Sequence, residues 1–189
     1  MEELYPFVYK GLLTEESLDK AGRKERSQLS GVDITAINKK LSYEMLDSEA
    51  ISKAQRMALV YTAIHAFENM VRDFVVSTMI EEFKEDWWSN VSTRIQTKVT
   101  KRMEDEAKLR WHGARGGIEI EYCDFGDLSS IIVSNWMIFE SVLVDMEWTK
   151  AILAILERSR NVVMHGGMLG LQDIERIGSN IRDWVRQTG

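Results

Sequence analysis

The sequence predicts an all-α protein, and three observations support this fold class. Pro6 is the only proline among the 189 residues, so beyond it no ring interrupts a helical hydrogen-bond ladder. Apolar residues recur three or four positions apart over long stretches, which is the period of one helix face. Residues 118–122 alternate as an extended segment would, but no second segment stands ready to pair with them.

The N-terminal region predicts two short helices with weak apolar periodicity. The first runs over residues 14–22, with a hydroxyl cap and first-turn acids, and the second runs from a cap at Asp33 to about Leu46. We therefore expect residues 1–48 to form a helical arm that packs on a domain of residues 49–189.

The longest predicted helix spans Ser48 to Phe83, where apolar positions fall mostly three or four apart. After two tryptophans, Ser89 or Asn90 can cap another helix that continues through a stretch of mixed charge to about Arg110. The glycine-rich residues 113–117 predict a loop.

The C-terminal third predicts four further helical segments. They begin at Asp127, at Asn135, at Trp148 and at residue 171. The third of them is expected to end at His165, because two glycines follow it as they do at many helix C-termini.

Composition and charge restrict the class of protein. Lys and Arg number 24 against 30 Asp and Glu, a net charge of -6, which argues against a protein that coats nucleic acid non-specifically. Cys123 is the single cysteine, so no intramolecular disulfide is possible and a reducing compartment is favoured. The first residues are neither basic nor strongly apolar, and no stretch of eighteen apolar residues occurs. We therefore expect a cytoplasmic protein that does not enter the membrane.

Several kinds of catalytic site find no support in the residue pattern. The histidines, His65, His112 and His165, do not stand at helical metal-ligand spacing or near the cysteine, and His65 is expected to be a core or edge residue. Serine-nucleophile and phosphate-loop signatures are absent. We therefore expect neither a metal nor another cofactor.

The remaining candidate is the segment Arg160-Asn161-Val162-Val163-Met164-His165. At about 100° per residue, Asn161 and His165 share one helix stripe, while Arg160 points about 140° away from His165. One ideal helix cannot bring both groups onto the same phosphate, whereas two facing helices, or an unwound helix end, could. An imidazole can move the proton of a ribose hydroxyl, and a guanidinium binds and stabilises phosphate. The alternative is an ordinary arginine and histidine in the last helical turn, where cations complement the dipole.

At these residues the sequence resembles the HEPN superfamily, whose mark is an arginine, often followed by asparagine, with a histidine four to six residues after the arginine. The resemblance is closest to the subgroup found in nuclear mRNA quality-control endoribonucleases and in stand-alone bacterial proteins. It covers about residues 50–185. Further matching segments are Phe67-Glu68 with Arg72, Asp86-Trp87-Trp88, Asp124 to Leu128, Asn135-Trp136, and Phe139.

The resemblance implies a bundle of four to five helices that forms a homodimer, with two motifs making one metal-independent ribonuclease site. By position, Arg160 would hold the phosphate, His165 would act as general acid or base, and Asn161 would orient the substrate or the histidine. Glu68 and Arg72 would support the site; the competing interpretation is an exposed ion pair of little energetic value.

RNA contacts are also predicted outside the motif. The candidates are Arg158, Arg110, Trp111 and Arg115, and we expect the other five tryptophans to pack in the core.

The sequence thus predicts a dimeric endoribonuclease, as a toxin or an effector of defence against phage, with an antitoxin or defence protein as a further partner. Two alternatives stay open. A HEPN dimer could bind RNA or a nucleotide, or assemble a partner, without cutting, as the acidic net charge favours. A structural helical protein with a coincidental motif would be a monomer.

Overall fold

The computed structural model describes residues 31–189 and, before them, Lys10, Gly11, Thr14, Ser17 and Leu18. Most of the helix predicted over residues 14–22 lies outside the described residues. The chain divides into two compact units, Met1–Ile51 and Ser52–Gly189.

The described part of the first unit contains helix α1, Gly31–Lys40, and a 3-10 turn, Tyr43–Met45. The prediction of one helix from a cap at Asp33 to Leu46 was wrong at both ends. Asp33 lies in the first turn of α1, and Ser42 adopts a left-handed conformation with φ 54°, which no helix continues through.

Helix α2, Ser48–Phe83, confirms the longest predicted element. Its buried stripe repeats at helical spacing and provides one side of the core. The helix ends at Phe83 because Lys84 has φ 57°, and a 3-10 helix, Lys84–Asn90, follows. The buried residues of α2 are Met57, Val60, Ile64, Phe67, Glu68, Val71, Val75 and Met79.

Helix α3, Thr93–Ala107, starts later than predicted, since the 3-10 helix occupies Ser89 and Asn90 and leaves Ser92 at the N-cap position. The extended conformation expected for residues 118–122 was also wrong, because Glu119–Tyr122 forms a 3-10 turn. Without a partner strand, its backbone N–H groups bond locally, as Glu121 N–H does to the Ile118 carbonyl at 3.2 Å.

Four helices complete the second unit. They are α4 (Phe125–Ser134), α5 (Trp136–Phe139), α6 (Met146–Met164) and α7 (Leu171–Thr188). Helices α4 and α6 begin two residues before their predicted starts, because the carboxylates of Asp124 and Asp145 accept backbone N–H bonds and cap them.

The core of the second unit centres on Trp184 of α7, which is fully buried. Its ring stacks on Trp148 of α6 and meets Phe67 and Phe74 of α2 edge-on, at centroid distances of 6.2, 5.6 and 5.9 Å. These contacts join three helices through aromatic faces and edges, which stabilises their packing beyond area burial alone. The described residues contain no β-strand, so the all-helical prediction is confirmed.

Candidate functional site

The end of α6 leaves His165 exposed beside a sharp turn. His165 follows the last helical residue, and its backbone N–H still donates to the Asn161 carbonyl at 3.1 Å. Gly166 has φ +76°, and a Cβ on Gly167 would stand 2.7 Å from Val162 Cγ1. Two glycines are therefore needed for the chain to turn directly after the histidine.

In one protomer, Arg160 and His165 line two different spaces. Arg160 lines a cavity of about 660 Å³, whereas Asn161 and His165 line a shallower groove of about 440 Å³. The side chains of Arg160 and Asn161 still meet, since Arg160 Nη2 donates to Asn161 Oδ1 at 3.3 Å. The separation agrees with the angle expected from an ideal helix.

The floor of the cavity is a buried carboxylate shared by two arginines. The Glu68 side chain is only 5% exposed, and its Oε1 lies 2.5 Å from Arg72 Nη2 and 3.7 Å from Arg160 Nη1. The Glu68 carboxylate is thus buried and its pair with Arg72 is largely buried, so the interpretation as an exposed ion pair was wrong.

Arg72 also connects α2 to the opposite wall of the cavity, which includes residues 121–124. Its Nη2 donates to the Cys123 carbonyl at 2.9 Å, and its Nη1 donates to Asn69 Oδ1 at 2.7 Å. The Nε groups of Arg72 and Arg160 are buried and have no hydrogen-bond acceptor. Both guanidinium groups are consequently held by fewer bonds than they can make.

The opposite wall is stabilised by a four-residue ion cluster. Asp124 and Asp127 each contact Lys98 and Arg102 at distances between 2.8 and 3.1 Å. Burial raises the pKa of Asp124, but hydrogen bonds from Arg102, the Asp127 N–H and Lys98 outweigh it and hold this pKa well below its usual range.

Next to this cluster, burial is the main cause that raises the pKa of the Cys123 thiol to about 12, with Asp127 and Asp124 adding to the shift. The thiol therefore stays neutral at physiological pH.

His65 lines the same cavity as Arg160, although the sequence predicted a core or edge position for it. Its imidazole is exposed, stacks on Tyr61 with centroids 5.8 Å apart, and has Nε2 3.4 Å from Asn69 Nδ2. A signal was present in the sequence, because His65 stands three residues before Glu68 and so shares its helix face. The apolar character of the surrounding helix obscured it.

The predicted RNA-contact residues lie in three places. Arg158 lines the groove with His165, and Arg115 lines the cavity, where its Nε lies 3.4 Å from Glu106 Oε1. Arg110 and Trp111 are exposed after α3 and line neither space; Trp111 is 82% exposed. The structure therefore does not bring these four residues together at one surface site.

Among the described residues, no cluster of three or more His, Cys, Asp or Glu side chains could hold a metal ion. None of the helices described is long and apolar enough to cross a membrane.

Comparison with known proteins places the chain in a family. Comparisons with curated proteins and with solved structures each gave no match. Residues 62–189 match the profile of the family described as Swt1-like HEPN, a range that contains α3 to α7, most of α2, the groove, and every residue lining the cavity except Tyr61. Since this match covers more than half of the sequence, the chain belongs to the HEPN superfamily.

Proposed function

We propose that this protein is a metal-independent endoribonuclease that acts as a homodimer. Arg160 binds the scissile phosphate, His165 moves a proton, and Asn161 orients the arginine. Membership of the HEPN superfamily supports the reaction class, and the Arg-Asn-x-x-x-His segment at the end of α6 supplies suitable groups for it.

The observation that carries the proposal is the separation of Arg160 and His165 in one protomer. Within a single chain, the guanidinium that lines the cavity and the imidazole that lines the groove do not share one space. A two-fold axis near the end of α6 would bring Arg160 of one protomer to the partner's His165, and would create two equal sites.

Apolar surface beside the motif supports the same dimer. Met164, Met168 and Leu171 are each at least half exposed, and all three lie within six residues of His165 in the sequence. Exposed apolar surface marks many protein–protein interfaces. A second copy of the chain would cover them while it closes the composite site.

The chemistry follows from the groups present. A ribose 2′-oxygen attacks the adjacent phosphorus, the bond from phosphorus to the 5′-oxygen breaks, and the products are a 2′,3′-cyclic phosphate and a 5′-hydroxyl. An imidazole accepts the 2′-hydroxyl proton or donates one to the leaving oxygen, and the guanidinium stabilises the charge on the phosphoryl oxygens. Glu68 and Arg72 hold Arg160 in place.

The experiment is incubation of purified protein with a total-RNA pool in EDTA, followed by analysis of fragment ends. We expect wild type to give 2′,3′-cyclic phosphate ends and His165→Ala to leave RNA intact while it keeps its fold and dimer. His112→Ala, which removes an exposed histidine outside both spaces, is the matched control. Cleavage by His165→Ala at the wild-type rate would contradict the proposal.

The second candidate is a HEPN dimer that binds RNA or a nucleotide, or assembles a protein partner, without cutting. The net charge of -6 favours this candidate over an enzyme that cuts RNA in general, because weak attraction for phosphate gives poor affinity for generic RNA. Intact RNA with wild type, together with specific binding of an oligonucleotide, would favour this candidate.

The cellular role belongs to the same proposal. We propose a cytoplasmic toxin or anti-phage effector that an antitoxin or defence partner controls, with residues 1–48 as an arm on the domain of residues 49–189. Co-purification of the tagged full-length chain from its native cell would test for such a partner.

A further inference from the structure

The cavity that Arg160 lines already contains an imidazole of its own protomer. His65 and Arg160 both line it, while His165 lines the separate groove. The histidine that shares a cavity with Arg160 within one chain is therefore not the histidine of the sequence motif.

His65 is held in a defined place by its neighbours on α2. Tyr61 stacks on one face of the ring with an interplanar angle of 13°, and Asn69 lies one turn further along, 3.4 Å from Nε2. His65 precedes Glu68 by three residues, which corresponds to about 4.5 Å of rise and about 60° of rotation. The imidazole thus lies within about one helical turn of the carboxylate that contacts Arg160.

The two arginines at Glu68 carry one positive charge more than that carboxylate balances. Glu68 is the shared counter-charge of Arg72 and Arg160, and the Nε groups of both arginines have no acceptor. A phosphodiester carries one negative charge and would balance the second guanidinium. A phosphate bound there would share the cavity with the imidazole of His65.

We propose that His65 is a second catalytic histidine and the general base of the reaction, which rests on the proposed ribonuclease function. Neutral His65 accepts the proton of the 2′-hydroxyl while the 2′-oxygen bonds to phosphorus. The bond from phosphorus to the 5′-oxygen breaks, and the protonated imidazole of the partner's His165 donates a proton to the leaving oxygen. His65 gains one proton and His165 loses one, so the step balances, and proton exchange with water returns both histidines to their starting states.

The first test compares two single variants with the wild-type protein. His65→Ala is expected to slow cleavage by roughly a hundredfold or more, which is the usual contribution of general acid–base catalysis. Because His65 is exposed, the variant should match wild type in melting temperature and in dimer formation. Free imidazole should restore part of its cleavage rate. His112→Ala should keep the rate, and imidazole should not change it.

A substrate with sulfur in place of the bridging 5′-oxygen assigns the two histidines. A thiolate leaves without protonation, so His165→Ala should cleave this substrate well while His65→Ala should not. The opposite result would overturn His65 as the base.

Mixed dimers, co-expressed with two different tags, locate His65 relative to Arg160. Arg160→Ala paired with His165→Ala should regain activity, because one site then combines intact Arg160 and His65 of one protomer with the partner's His165. Arg160→Ala paired with His65→Ala should stay inactive, because no site then holds both groups. Recovery in the second mixture, or full activity of His65→Ala alone, would overturn the inference; absence of cleavage by wild type would instead mean that the proposed function fails.

Discussion

The guanidinium of Arg160 lies 3.7 Å from the buried carboxylate of Glu68, which Arg72 also contacts. Residues 92 positions apart in the chain thus share one ion network at the junction of α2 and α6. Four substitutions and one labelling experiment test what this network and its surroundings do.

Glu68→Gln should lower the free energy of unfolding by about 3 kcal/mol, because a lost partner leaves buried charge uncompensated. Urea denaturation followed by circular dichroism measures the change. Asp105→Asn is the control, since its pair with Lys108 is exposed, and it should unfold as wild type does. Equal midpoints for all three proteins would show that the Glu68 network contributes no stability.

Gly167→Ala should destabilise the protein by about 1–3 kcal/mol, since an added methyl group beside Val162 forces the turn to shift. The shift displaces His165, so RNA cleavage should fall with the melting temperature. Gly113→Ala provides the matched control, because its Cβ would meet no atom within 4 Å. A Gly167→Ala protein with wild-type melting and cleavage would contradict the tight turn.

Asp124→Asn should lose stability relative to wild type in a pH-dependent manner. The pKa of Asp124 is depressed in the folded state, so its contribution is present above the unfolded pKa, near 4, and disappears as the pH falls through the folded value. Urea midpoints of the two proteins should therefore differ at pH 7 and approach each other at pH 3 and below. A difference that persists unchanged in acid would exclude the carboxylate charge as its cause.

Cys123 should resist alkylation in the native protein. Burial raises the pKa of its thiol to about 12, and the side chain is inaccessible, so neither thiolate nor access is available. Mass spectrometry after iodoacetamide treatment should show no adduct at pH 8, and one adduct after guanidinium denaturation. Rapid native labelling would mean that the 3-10 turn opens readily.

Trp111→Ala should weaken RNA binding without changing the melting temperature. The ring is 82% exposed and can stack on a base, a contact worth about 1–3 kcal/mol. Affinity is best measured by fluorescence anisotropy in a His165→Ala background, where substrate is expected to survive. Met137→Ala, at a comparably exposed side chain, is the control; equal affinities would remove Trp111 from the RNA surface.

The parts of the fold that depend on local sequence were predictable. The apolar period predicted α2 with both ends correct and also predicted α6 and α7, while α3 was predicted from a capping residue and a stretch of mixed charge. Helix starts were misplaced where an aspartate side chain caps the helix, as Asp124 and Asp145 do, because several polar residues nearby could have served equally well.

Only the features of the site that depend on the geometry of a single helix were predictable. The angle between Arg160 and His165 follows from helical geometry, and their openings onto separate spaces agree with it. The contact of Arg160 with Glu68 depends on how α6 packs against α2, which no local pattern contains. His65 was misjudged for the same reason, since its exposure depends on which face of α2 the other helices leave open.

Arg72 donates a hydrogen bond to the backbone carbonyl of Cys123, so a polar contact links α2 to the opposite side of the cavity. An RNA that bound Arg160 and Arg72 together would reinforce that connection and would bind only the folded protein. The gain in free energy of unfolding then grows with the logarithm of ligand concentration above the dissociation constant. Melting temperature measured against a set of short oligoribonucleotides would therefore rank substrates by sequence in a variant that cannot turn them over.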